Sequence, residues 1–256
     1  MNFLTPVWPR EVDGLDHIGA ISTLRTGGFS LPPYAAADGS GGLNLATHVG
    51  DDAAIVARNR AVLRLKIPAD PHWLNQVHGS AVVHARADAV VENPPTADAC
   101  IATEPGVVCA ILTADCLPVL LCDPKARVVG AAHAGWRGLA SGVLQNTVAA
   151  MRAVGATDVC GWLGPAIGPK KFEVGEDVRT EFCDGDHAAA KAFEASTSAP
   201  GKYMADLYAL ARLALMQAGV SAISGGDRCT VSQPQDYFSY RRDLHCGRMA
   251  SLIWIR

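Results

Sequence analysis

Gly106–Ala134 reads GVVCAILTADCLPVLLCDPKARVVGAAHA. It contains three short apolar runs, Gly106–Leu112, Pro118–Cys122 and Arg127–Ala132. Each is rich in aliphatic residues and bounded by turn formers, the pattern of buried strands. The second and third flank Asp123-Pro124-Lys125-Ala126, a connection with Asp and Pro in turn positions, and so predict a strand pair. Asp115 and Pro118 interrupt the most apolar part, Gly106–Cys122, which therefore does not read as a membrane-spanning helix.

Outward from this stretch, Val159–Leu163 and Met249–Ile255 add two strands. Three helices are expected. Asp51–Leu65 opens with two acids suited to a cap and first turn. Gly138–Val154 carries Leu139, Val143, Leu144, Val148 and Met151 on one face, with Gly155 at the C′ position. Ala205–Ala218 carries Leu207, Leu210 and Leu215 and is followed by Gly219. Leu31–Gly42 and Glu194–Lys202 read as loops. Neither flanks a change of composition, so the chain is not divided into domains. Strands arrive in groups, then a helix, then strands, which suits a mixed-sheet α/β or α+β sandwich.

The chain has 256 residues, 49% hydrophobic and 18% charged, which excludes an intrinsically disordered protein. It is long enough to bury a core without disulfides. A net charge of −3 provides no electrostatic footprint for nucleic acid or an anionic membrane. A local basic pocket for one small anion is compatible with it. The first residues, MNFLTPVWPREV, lack the basic and apolar regions of a secretory signal. The eight cysteines are scattered, so they read as reduced thiols in a cytoplasmic protein.

Three segments set metal-competent residues beside apolar strands: Asn75-Gln76-Val77-His78-Gly79, Thr113-Ala114-Asp115-Cys116-Leu117-Pro118, and Ala132-His133-Ala134-Gly135-Trp136-Arg137-Gly138. Cys116 sits at a break between strands and His133 ends the next one. His78 must arrive from a separate loop. Two imidazoles and one thiolate form a zinc set with an open fourth position. The same Cys116 and His133 could instead be nucleophile and base of a metal-free cysteine hydrolase. The turn after His133 leads into a helix whose first amides, with Arg137, could hold phosphate. Arg60, on a helix face near apolar neighbours, is a second anion candidate. Arg25, Asn44, His48, Gln76, Asp115 and Arg241 complete the polar positions expected to contact substrate. Gly164–Pro169 lacks the Lys-Ser/Thr ending of a P-loop and reads as a structural turn.

The segments STLRTGGFS, GLNLATHVGDD, RNRAVL, NQVHGS, TADCLPVLLCD, AAHAGWRGLASGV, GWLGPAIGP and CTVSQPQDYFSYRRD, from about Ser22 to Arg248, resemble the YfiH family. It is also called the laccase-domain or multicopper polyphenol oxidase family. The resemblance implies one catalytic domain over residues 1–256, a layered α/β/β/α sandwich with mixed sheets. It implies a zinc ion on His78, Cys116 and His133. It implies phosphorolysis of adenosine, inosine and methylthioadenosine, with adenosine deamination in some members. Bacterial members are also implicated in editing peptidoglycan precursors. The laccase name requires several coppers fed by many histidines, usually in His-x-His pairs. This chain has eight histidines and no such pair. One adventitious copper in an N₂S site could still give slow oxidation, because Cu²⁺ outranks Zn²⁺ in affinity. Phosphorolysis fits better, since it needs an anion cradle and little covalent chemistry. A non-catalytic nucleotide-binding module is the alternative of another class.

Overall fold

The structure is a computed structural model that describes residues 3–87, 93–184 and 186–256. Two sheets form its centre. The first has five strands in the order Phe3–Leu4, Ile18–Thr23, Met249–Ile255, Val108–Thr113 and Pro71–His72. The second has six, in the order Ile223–Gly225, Cys160–Leu163, Leu117–Asp123, Val128–Ala134, Ala99–Ala102 and Val82–His84. Their interiors are antiparallel, while Pro71–His72, Ile223–Gly225 and Val82–His84 join in parallel at edges. Both sheets are therefore mixed, as expected.

Period-two alternation divides the apolar residues into three layers. Cys109 and Ile111 of the first sheet face Leu120, Cys122 and Val129 of the second across a shared core. Val108, Ala110 and Leu112 turn the other way, onto Leu63 and the segment Leu43–Ala46. On the far side of the second sheet, Val119, Leu121 and Ala132 pack against Leu144, Val148, Met151 and Leu215. The layers run helix, sheet, sheet, helix. Both faces of each sheet are covered, which is why these strands are continuously apolar rather than alternating with polar residues.

Helix Ala53–Arg64 is capped by Asp52, whose carboxylate accepts from the amides of Ala54 and Ile55. Helix Leu207–Gln217 is capped in the same way by Asp206. Both lie within the expected spans. The expected helix Gly138–Val154 is instead two, Trp136–Ala140 and Val143–Ala153. Gly142 between them has φ +84°, a left-handed conformation that ends the first helix and caps the second. The apolar periodicity continued across this break, because both helices bury the same side. Glu194–Lys202 is also more ordered than expected. Its ends enter strands Phe193–Ala195 and Lys202–Ala205, which with Glu173–Gly175 form a third, three-stranded sheet. Among the described residues, no helix is long and apolar enough to cross a membrane.

Candidate metal centre and its pocket

Strand Val108–Thr113 belongs to the first sheet and Leu117–Asp123 to the second, so Ala114–Cys116 is the step between sheets. His133 lies opposite Pro118 on the neighbouring antiparallel strand, beside that step. His78 enters from the loop between Pro71–His72 and Val82–His84. The potential ligand atoms of His78, Cys116 and His133 all lie within 4.8 Å of one another. Cys116 Sγ is 3.8 Å from His78 Nε2. The two imidazole rings meet edge to face, with centroids 4.8 Å apart. His133 is buried, Cys116 half-buried and His78 exposed. The cluster is therefore open on one side.

A fourth residue, Asp98, organises the other three. Its Oδ1 accepts from His133 Nδ1 at 2.8 Å. Its two oxygens also accept the backbone N–H groups of Val77, His78 and Gly79, at 3.1, 2.9 and 2.7 Å. His78 has φ +61°, a conformation that costs a non-glycine residue roughly 1–2 kcal/mol. Hydrogen bonds to a fully buried carboxylate, each worth about 1.5–3 kcal/mol, offset that strain. Donation from Nδ1 also leaves Nε2 of His133 free to serve as a ligand atom. Asp98 was absent from the sequence expectations. The readable signal was an acid set between alanines at the entrance to the apolar strand Ala99–Ala102, where a charge needs partners.

The electrostatics follow from this arrangement. Burial would raise the Asp98 carboxyl, but hydrogen bonds from His133, Gly79 and Val77 hold it below the usual carboxylate range. Enclosure likewise pushes the Cys116 thiol up, yet the charge and hydrogen bond of His133, and then those of His78, bring it down to about 6. Burial opposes protonation of His133, but Cys116 and Asp98 raise it to about 9. In metal-free protein the thiolate should thus survive from alkaline pH down to about pH 6. Thiolate ultraviolet absorbance, titrated after chelation, checks this. His133→Ala should move the midpoint up toward the ordinary value of about 8.5.

Two glycines permit the close approach. A Cβ on Gly135 would lie 2.9 Å from Cys116 Sγ and 3.1 Å from His78 Cδ2. One on Gly138 would lie 2.8 Å from the Gly79 carbonyl oxygen. Their role extends beyond the strand-to-helix turn: they let helix Trp136–Ala140 press against the cluster. Two imidazole nitrogens and one low-pKa thiolate, with an open side, fit a borderline-soft divalent ion that keeps one position free.

The cluster opens onto two cavities. One, of about 360 Å³, is lined by His48, Gln76, Thr113, Tyr240 and Arg248 together with the cluster. The other, of about 270 Å³, is lined by Asp115, Trp136, Arg137, Phe172, Leu207 and Arg241, and shares His78, Cys116 and Tyr240 with the first. Tyr240 thus stands between them. Tyr240 and Arg248 are further residues that the sequence expectations lacked. Arg248 follows a glycine at the mouth of the apolar strand Met249–Ile255, a position where an arginine needs a reason.

The expected substrate residues separate into three groups. His48, Gln76, Asp115, Arg137 and Arg241 line the cavities. Gln76 does so with its amide already committed, bonding both the N–H and the carbonyl of Leu112 at 2.8 Å. Asp115 is similarly engaged, accepting from Thr230 Oγ1, Ser239 Oγ and the Arg241 amide. It holds its own φ of +87° beside Cys116 rather than presenting a free carboxylate. Asn44 and Arg60 stand behind the first cavity. Asn44 Oδ1 accepts the Arg248 amide at 3.0 Å. Arg60 donates Nε to the Leu45 carbonyl and stacks 4.3 Å from the Trp73 ring centroid. Arg25 lies elsewhere. Its guanidinium is buried against Phe238 and donates to the carbonyls of Pro234 and Ala35, so it ties loops together. The helix expected to cradle phosphate is only five residues long. Its dipole is correspondingly small.

A fold of two packed mixed sheets with a His-Cys-His cluster at the step between them defines a class that known proteins share. Residues 19–256 match the family described as multi-copper polyphenol oxidoreductase laccase, and the chain belongs to this family, the YfiH family. A protein of Escherichia coli K12 named purine nucleoside phosphorylase YfiH is 46% identical over 254 residues, 98% of each chain. A Pseudomonas aeruginosa protein, also named a purine nucleoside phosphorylase, is 45% identical over 254 residues, 99% of this chain and 98% of its own. The crystal structure of Neisseria meningitidis protein NMB0706 superposes with a TM-score of 0.89 at 46% identity, covering 100% of this chain and 99% of that one. A Bacillus licheniformis hypothetical protein YfiH superposes at 0.87 with 28% identity, covering 99% of both chains.

Proposed function

We propose that this chain is a zinc-dependent purine nucleoside phosphorylase, acting on adenosine, inosine and methylthioadenosine. The observation that carries the reading is the His78–Cys116–His133 cluster, locked by Asp98 at the junction of two cavities. The relatives named purine nucleoside phosphorylase support it, since they align along nearly their whole length. In the reaction a phosphate oxygen bonds to ribose C1′, the bond from C1′ to the purine nitrogen breaks, and its electron pair leaves with the base. A zinc ion on the three ligands would supply positive charge beside the attacking anion. His78, Cys116 and His133 would hold that ion. Asp98 fixes the tautomer of His133 and the backbone of His78. The cavity walls seat the two substrates and keep bulk water from the sugar.

Deamination of adenosine is less well supported. It needs a carboxyl that shuttles protons. Among the described residues lining the two cavities, Asp115 is the carboxylate, and its oxygens already accept three hydrogen bonds. Multicopper oxidation lacks support too, because the described residues hold one cluster of three potential ligands rather than several.

One observation favours a second reading. Cys116, His133 and Asp98 form a chain of low-pKa thiol, imidazole and orienting carboxylate, the arrangement of a cysteine hydrolase. Metal analysis and product assay separate the two. Protein purified without chelator should carry about one zinc per chain. It should release free base from adenosine in proportion to added phosphate, with ribose 1-phosphate as co-product. Purine release independent of phosphate, by metal-free protein, would move the hydrolase to first place. Binding of nucleoside with no release would identify a binding module.

A further inference from the structure

The two cavities meet at Cys116 but differ in charge. The first contains Arg248 and His48, and among the described residues no carboxylate lines it. The second contains Arg137 and Arg241 but also the Asp115 carboxylate. An anion entering the second cavity meets a like charge. One entering the first does not.

Arg248 is built for such a ligand. Its backbone is fixed by Asn44, and Asn44 is fixed in turn because its carbonyl accepts from Asn59 Nδ2 at 2.8 Å. Its Nη1 bonds the carbonyls of Cys246 and Gly247 at 2.9 and 3.1 Å. Those contacts hold the guanidinium in place, and among the described residues Nε and Nη2 have no hydrogen-bond partner. No carboxylate forms an ion pair with it among the described residues. A half-buried guanidinium with two open donors and no counter-charge is a preorganised fork for a tetrahedral oxyanion. His48 lies in the same positive field: burial, then Arg248, then Arg60 depress its pKa. A neutral His48 can still donate one ring N–H.

We infer that the oxyanion subsite of this protein is the Arg248–His48 cavity, with Arg60 adding charge behind it, and that it takes inorganic phosphate. The subsite deepens the phosphorylase reading by assigning the seat of the nucleophile, and it replaces Arg137 and the short helix as the cradle. Arg137 is exposed and folded over its own neighbour Trp136, 5.2 Å from the ring centroid.

The test is calorimetric titration of inorganic phosphate into the zinc-loaded protein and its variants. Arg248→Met should weaken phosphate binding roughly 10- to 150-fold, the loss expected for a charge-assisted contact. Arg248→Lys, which keeps the charge but not the fork, should fall between the two and also guards against a folding defect in the methionine variant. Arg137→Met should change the affinity less than about twofold. Wild type that binds no phosphate, or a loss in Arg137→Met as large as that in Arg248→Met, overturns the subsite. Its failure is distinguishable from failure of the function. Phosphate held through Arg248 without purine release would leave the subsite standing and remove the phosphorylase. Phosphate-dependent release that ignores Arg248 would do the reverse.

Discussion

Cys116→Ala should reduce bound metal from about one ion per chain to near zero and bring purine release to background, while the protein still unfolds cooperatively. The loss of metal follows from the ligand count. A three-residue site with one position open has no spare donor, and two imidazoles alone hold zinc poorly. The survival of the fold follows from where the core lies. The apolar layers are built from strand and helix residues such as Ile111, Leu120, Val119 and Met151, and none depends on the cluster. Cys116 is half-buried at the step between sheets, so trimming it leaves little void. Metal stabilises the folded state only by mass action, about 2.7 kcal/mol at a free concentration of 100 Kd. For a protein of this size that is roughly 5–11 °C in Tm. Wild type and Cys116→Ala should accordingly melt together in chelator and separate by about that interval when zinc is added. Circular dichroism melts with and without zinc, paired with elemental analysis, check it. A variant that is unfolded in chelator while wild type is folded there would show the cluster to be a structural staple.

The strands and two members of the cluster, Cys116 and His133, were legible for the same reason. Buried strands with both faces covered appear as continuous apolar runs, and a thiol and an imidazole at their ends stand out against them. The expected strand Met249–Ile255 forms over those same residues. The Gly142 break was not legible, because apolar spacing continued through it and a glycine within a helical pattern is ambiguous. Substrate positions were harder still. Arg25 and Arg248 look alike in sequence, each an arginine beside a glycine-containing segment. Only the fold separates them: Arg25 donates to carbonyls of two loops away from the cluster, and Arg248 lines the cavity beside Cys116. Asp98 escaped because its partners come from two distant places, the His78 loop and the strand bearing His133. An acid between alanines announces that it needs partners, but not that they are backbone amides 19 to 21 residues away.

Asp98→Ala should be the most destabilising single change at the site. It removes a buried charge and strands four donors: His133 Nδ1 and the amides of Val77, His78 and Gly79. Breaking such a group costs about 3–5 kcal/mol, or roughly 6–20 °C in Tm at this chain length. The carboxyl sits below its usual range in the fold, so its contribution is fully present near neutral pH and is lost only in acid, as the folded pKa is crossed. Asp98→Asn separates positioning from mere stability. The amide keeps the size and one acceptor oxygen, so the fold should suffer less. Its NH₂ group, however, can donate to His133 Nδ1, which forces the proton onto Nε2 and blocks the nitrogen meant for the metal. Zinc affinity should fall about 10- to 100-fold in Asp98→Asn, as for other partners of metal-bound histidines. The thiol titration supplies the second readout. Without the carboxylate, His133 is a poorer cation, so the Cys116 midpoint should rise from about 6. A purely structural Asp98 would lower Tm and leave that midpoint where it is. An Asp98→Asn protein with wild-type zinc affinity and a wild-type thiol titration would remove Asp98 from the machinery of the site.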